Sequence, residues 1–189
     1  MKTFIISLKA VLILTIITGV LYPLLIFGIG KAAFQNQANG SLISKDGKVI
    51  GSELIGQTFD STIYFHSRPS AICYQPMPSS GSNLGPISLV LQQRVDSLRK
   101  AYIDYNGLPA NTNVPSDAIF ASGSGIDPHI SLENANLQID RIVKARGFDS
   151  NKKAKLTELV KKLTEAPQLG FLGEVRINVL KLNIELDKL

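Results

Sequence analysis

The sequence predicts an α+β protein: one N-terminal transmembrane helix followed by a single mixed α/β soluble domain. Two observations carry most of this. Residues 10–30, AVLILTIITGVLYPLLIFGIG, form 21 consecutive residues without a charged side chain, and at about 1.5 Å per residue a helix of that length matches a ~30 Å hydrocarbon layer. The 158 residues after Lys31 then mix helical and strand periodicities, enough chain for one good core and too little to suggest two.

The span runs from Ala10 to Gly30, with Lys9 and Lys31 at its ends and Val20 and Pro23 within it. Backbone groups find no partners in lipid, so the segment must be helical. Pro23 removes one helix bond and predicts a kink. The rival reading is a cleaved signal, with Lys2 and Lys9 as its basic region and Gly28-Ile29-Gly30 as its small-residue cleavage pattern; the length favours an uncleaved anchor. Lys2, Lys9 and the terminal amine outweigh Lys31, so the N-terminus is expected inside and the domain outside, by a narrow margin. The expected division is an anchor over 1–34 and a soluble domain over 35–189.

Removing Lys2, Lys9 and Lys31 from the twenty basic residues leaves 17 against 15 acidic ones, so the soluble part is nearly neutral and the high pI belongs to the anchor's flanks. That excludes the concentrated basic face that nucleic acid requires. The single Cys73 cannot form an internal disulfide and reads as a small loop or core residue.

The span is expected to continue for a turn or two before Gly40 ends it. SLIS and KVIG around Asp46-Gly47 then read as a hairpin. Residues 65–86, FHSRPSAICYQPMPSSGSNLGP, are too rich in Pro, Gly and Ser for a regular helix or central strand, and Phe65, Ile72, Tyr74, Met77 and Leu84 give this long loop side chains to pack with. Leu91, Val95, Leu98, Tyr102 and Tyr105 lie on one face of a helix that Gly107 ends. Ser116 to Phe120 reads as a short strand. ASGSGIDPHIS is a second unusual loop, handing over at the N-cap Ser131 to a helix with a Leu132, Ala135, Ile139, Ile142, Val143 stripe that stops at Gly147.

A third helix is expected from about Ser150 to Ala166 on Leu156, Leu159, Val160 and Leu163. Its lysines Lys152, Lys153, Lys155, Lys161 and Lys162 read as lipid-headgroup contacts or, preferably, as a solvated face diluted by Glu158 and Glu165. In residues 174–187, Val175, Ile177 and Val179 alternate in one phase and Leu180, Leu182, Ile184 and Leu186 in the other, which predicts a bulged or doubly buried strand at the centre of the sheet.

No Walker A sequence, dinucleotide fingerprint or nucleophile elbow is present, and His66, His129 and Cys73 lack zinc-site spacing. Both histidines fall in the two odd loops, with Arg68 near the first and Asp127 near the second. A Ser/His/Asp hydrolase can be drawn from Ser80 or Ser124 with His129 and Asp127, but residues two apart at a proline are poorly placed for the usual Asp-to-imidazole geometry. A structural account fits better: Asp127-Pro128 starts a turn, Ser122 and Ser124 bond backbone amides, and His129 bonds a neighbouring carbonyl.

YFHSRPSA (64–71), SSGSNLGP (79–86), ASGSGIDPHIS (121–131) and GEVRINVL (173–180) together resemble the KdpC family, the small subunit of the Kdp potassium-transporting ATPase. The likeness runs from the anchor to the last apolar run, with minor departures: Gly123 stands where the family often has alanine and Val175 where it often has proline. It implies a single-pass subunit of the cell membrane whose partners are a channel-like subunit that selects K⁺, a P-type ATPase subunit that hydrolyses ATP, and lipid. The family is described as assisting ATP binding, yet its soluble domain is placed outside, away from ATP. The N-terminal lysines side with the outside placement, so no cofactor is assigned to this chain; ATP and K⁺ enter through the complex. The motif loops then supply the residues expected to dock partners or pin loops: His66, Arg68, Pro69, Ser80, Gly81, Asn83, Gly85, Ser122, Ser124, Gly125, Asp127, Pro128 and His129. The alternative is a membrane-anchored extracytoplasmic hydrolase.

Overall fold

The computed structural model describes residues 1–189 as two compact units, 1–50 and 51–189. The first is built on a 32-residue helical rod, Lys2–Ala33, none of it buried against protein. It consists of α1 (Lys2–Ile16), a π-helical turn (Ile17–Leu21) and α2 (Tyr22–Ala33). The wide turn is what Pro23 does to this helix. Its ring cannot donate and crowds the carbonyl one turn back, and the Tyr22 amide instead reaches five residues back to the Ile17 carbonyl.

After α2, a single turn, α3 (Gln35–Ala38), ends at Gly40 with φ +88°. Strands β1 (Leu42–Lys45) and β2 (Lys48–Ser52) form the hairpin expected from Asp46-Gly47, both of which adopt positive φ. β1 and the first three residues of β2 belong to the first compact unit and the last two residues of β2 to the second. An arginine at Val20, mid-span, is expected to cost at least ~2.5 kcal/mol of insertion free energy. Membrane fractionation of Val20→Arg should show release or loss of the chain; undiminished membrane association contradicts the anchor.

In the second unit the three long helices follow the expected stripes. α4 (Leu89–Asn106) begins at the Ser88 cap and ends at left-handed Gly107; α6 (Leu132–Arg146) begins at Ser131 and ends at left-handed Gly147; α7 (Ser150–Lys162) begins at Asp149. α7 stops four residues short of the expected end.

Two elements differ in kind. Residues 116–119 form a helical turn, α5, not a strand, because Pro115 pre-sets the turn and its carbonyl accepts from the Ala118 amide. The expected C-terminal strand survives only as β4 (Ile177–Asn178), paired antiparallel with β3 (His129–Ile130). From Val179 to Leu186 the chain is a helix, α8, capped by the Asn178 side chain on the Lys181 amide. Val179, Leu182, Asn183 and Leu186, all buried, have the 3-1-3 spacing of one helical face. A run this densely apolar satisfies both periods, and the asparagine cap decides between them.

The main core joins α6, α7 and α8 through Ala135, Ile139, Ile142, Leu156, Val160 and Leu182, and closes over Phe65, Ile130 and Ile177. A smaller cluster packs Val95, Leu98, Tyr102 and Ile103 of α4 on Val114, Ala118 and Ile119.

Candidate functional site

The first loop leaves the core through a turn closed by the Tyr64 amide on the Ser61 carbonyl, and the five carbonyls of residues 62–66 are each taken by a helix side chain. Arg141 donates to the Thr62 and Tyr64 carbonyls, and Arg146 Nε to that of Ile63 at 2.8 Å. Asn183 clamps Phe65 on both sides, accepting from its amide at 2.8 Å and donating to its carbonyl at 2.9 Å. Gln138 does the same for His66, at 2.8 and 3.2 Å. The two amide side chains act as neighbouring strands would, satisfying buried backbone that no sheet reaches. Arg141 is 7% exposed and its polar partners are all neutral, including Asn106 Oδ1 and Gln138 Oε1, both at 2.9 Å. It also lies 5.0 Å from the Tyr105 ring centre.

Beyond this clamp the first loop is fastened to the second. Ser70 Oγ donates to the Gly125 carbonyl at 2.6 Å while accepting from the amides of Ile72 and Tyr74; Ser79 Oγ donates to the Ser124 carbonyl at 2.8 Å. Gly125 is forced twice over: its φ is +72°, and a Cβ there would lie 2.5 Å from Ile72 and 2.7 Å from the Ser80 carbonyl. A Cβ on Gly81 would lie 3.0 Å from the Gly123 carbonyl. Ser122 and Ser124 accept from the amides of Gly125 and Ile126, as the sequence predicts.

Asp127 is the hub. Its Oδ2 accepts from Arg68 Nη1 at 2.9 Å; its Oδ1 accepts from the His129 amide at 3.0 Å and lies 3.3 Å from His129 Nδ1. Burial alone would raise the Asp127 pKa, but the His129 ring and amide and the Arg68 charge together hold the carboxyl below its usual range. His129 thus bonds a carboxylate rather than the expected carbonyl, and its contact with Asp127 forms despite their closeness in sequence. Asp117 plays a parallel part, accepting from the Ser131 amide at 2.8 Å, the Ser131 hydroxyl at 2.9 Å and Asn134 Nδ2 at 2.9 Å. The two carboxylates occupy the amides of His129 and Ser131, which by strand alternation lie on the side of β3 away from β4. This leaves no open edge for another strand.

Arg68, Asp117, Asp127 and His129, together with Glu174 and Arg176, line an open polar cleft of about 810 Å³. Ser80 and Ser124 are not bonded to His129: the Ser80 hydroxyl donates to the Gly81 carbonyl, and Ser124 is committed to Ile126. His66 lies elsewhere, in a smaller groove of about 280 Å³ that includes Pro69 and Tyr105. Its Nε2 is 3.1 Å from the Ser61 carbonyl and 3.3 Å from the Tyr105 hydroxyl, and burial, aided by the Arg141 charge, keeps its pKa below the ordinary value. Pro128 is buried and its carbonyl accepts from Val179. Asn83 is exposed with φ +52°, and Gly85 faces open space.

The structure therefore brings Arg68, Ser80, Gly81, Ser122, Ser124, Gly125, Asp127 and His129 together and leaves His66, Asn83 and Gly85 apart. Sequence reasoning missed Ser70, Asp117, Gln138, Arg141, Arg146 and Asn183. A signal existed on α6, where Asn134, Gln138 and Arg141 repeat the helical spacing of the apolar stripe, and on α8, where Asn183 interrupts an apolar run.

Comparison with known proteins identifies the family. A family model described as KdpC, the c chain of K⁺-transporting ATPase, matches residues 4–188. The potassium-transporting ATPase KdpC subunit of Mycobacterium tuberculosis is 47% identical over 185 residues, covering 97% of this chain and 96% of its own. That of Methylococcus capsulatus is 49% identical over 191 residues, with 97% and 96% covered, and that of Koribacter versatilis 42% over 189, with 98% and 94%. Matched across almost its whole length by the family and by relatives well above 30% identity, the chain belongs to the KdpC family.

Proposed function

We propose that this chain is a noncatalytic, membrane-anchored subunit of an ATP-driven potassium uptake complex, and that its two interlocked loops form a rigid surface docking on the channel-like and P-type ATPase subunits. The soluble domain stands on the extracytoplasmic side. ATP and K⁺ are handled by the complex. One observation carries the docking role: the polar groups that resemble an active site are spent on each other. Asp127 is held by Arg68 and His129, Ser70 and Ser79 are held by opposing carbonyls, and neither candidate serine faces an imidazole. Such mutual bonding preorganises a surface, which lowers the ordering cost of association.

Co-purification with the large subunits tests this. Arg68→Ala and His129→Ala are each expected to weaken assembly by about 1 to 2 kcal/mol, because interface energy is concentrated in a few anchors and spread thinly elsewhere. Arg68→Ala should do more harm, since it strips Asp127 of its only cationic side chain from the other loop. Undiminished recovery of the complex with both variants contradicts the docking role.

A further inference from the structure

Between α7 and β4 the chain makes an excursion whose chemistry the docking surface does not use. From Ala166 to Gly173, APQLGFLG, there is no charged residue. Leu169 is 83% exposed and Phe171 74%, with Leu172 also open to solvent. The excursion is a stiff hairpin. At its base Glu165 and Arg176 exchange backbone bonds of 2.8 and 3.1 Å and a side-chain ion pair of 3.0 Å; nearer the tip the Gln168 amide donates to the Leu172 carbonyl, and the Leu172 amide to that of Gln168, both at 2.9 Å. At the tip Leu169 itself has φ +54°, ahead of Gly170 at +83°. A leucine in the left-handed region costs roughly 1–2 kcal/mol, and here that conformation places its side chain in solvent. Packing within the domain gives no return for either cost.

Immediately before the hairpin, α7 ends with Lys161 and Lys162, both exposed and neither paired with a carboxylate, whereas Lys153 pairs with Asp140 and Arg176 with Glu165. We propose that this hairpin is a membrane-surface element: Leu169, Phe171 and Leu172 enter the headgroup boundary of an anionic bilayer, and Lys161 and Lys162 meet its phosphates. Apolar insertion and basic attraction are the two weak signals that together hold a segment at an interface. Lipid suits the tip better than a protein pocket does, because apart from Gln168 the tip offers no side chain able to make a directional polar contact. The inference rests on the anchor. The segment 34–50 can extend at most about 60 Å, so the domain never leaves the bilayer's neighbourhood and even a weak surface contact is populated.

The chain contains no tryptophan, so Phe171→Trp in the full-length protein gives a single fluorescent probe. In vesicles of phosphatidylethanolamine and phosphatidylglycerol its emission is expected to be blue-shifted, and quenched more by lipids labelled near the headgroup than by lipids labelled near the chain end. Lys161→Gln and Lys162→Gln should each move the emission toward that of exposed tryptophan, lowering the docked-to-free ratio roughly fivefold per lysine. Leu169→Trp repeats the test at a second position should Phe171→Trp disturb the turn. Solvent-like, unquenched emission from chains that still float with the vesicles overturns the inference while leaving the anchor intact; loss of flotation would instead indict the anchor. A blue shift that appears only when the large subunits are added, without quenching by lipid, also overturns it and assigns the hairpin to a protein contact.

Discussion

Arg141→Ala is expected to cost the soluble domain about 3–5 kcal/mol, because it leaves several buried neutral acceptors without their donor. The guanidinium serves the carbonyls of Thr62 and Tyr64 and the amide oxygens of Asn106 and Gln138. Two of those acceptors, Tyr64 O and Thr62 O, belong to the segment that delivers the first loop to its place. An acceptor left dry costs about 1–3 kcal/mol, so even partial entry of water leaves a large net loss. Arg141→Lys should recover little, because one ammonium cannot reproduce the planar fork that spans both carbonyls. Denaturant unfolding of the detergent-solubilised chain, followed by near-ultraviolet circular dichroism, measures the difference. A loss below ~1 kcal/mol contradicts the clamp.

Leu182→Ala is expected to destabilise by roughly 2 to 5 kcal/mol through loss of buried apolar surface and the cavity left behind. Leu182 is fully buried in the main core, on the same face of α8 as Val179 and Leu186. The expected magnitude is the one a central strand would give, but the pattern around it distinguishes helix from strand. On α8, Ile184 is only partly buried and lies off the packed face, whereas a strand would set it beside Leu182, so Ile184→Ala should cost clearly less than Leu182→Ala. The same unfolding measurement reports both; a loss below ~0.5 kcal/mol for Leu182→Ala would place that residue at the surface.

What the sequence makes legible here is whatever rests on local chemistry. The helices of the soluble domain announce themselves by their apolar stripes, by Ser131 at the start of one and by Gly107 and Gly147 after two; the structure bears out these stripes except at Tyr105, which is exposed while Ile103 packs in its place. The hairpin at Asp46-Gly47 is equally local. The C-terminal run reads as a strand because apolar residues at 177, 179, 180, 182, 184 and 186 fit both periods, and only the cap at Asn178 turns the choice to a helix. Proximity of the two odd loops was legible only through their composition, since Ser70 to Gly125 spans 55 positions and no local rule connects them. The clamp on residues 62–66 was harder still. Gln138 and Asn183 are polar residues on buried faces, and polarity alone assigns them to solvent; only their place within the helical repeat points inward.

The central claim is that Arg68, Asp127 and His129 build a docking surface rather than perform chemistry. ATP-driven K⁺ uptake by complexes carrying His129→Ala, normalised to the amount of assembled complex, tests it most directly. Uptake per assembled complex close to that of the unsubstituted protein, with the loss confined to assembly, is the result the account predicts. Normal assembly with uptake reduced a hundredfold or more, as removal of a general acid or base would produce, would contradict it.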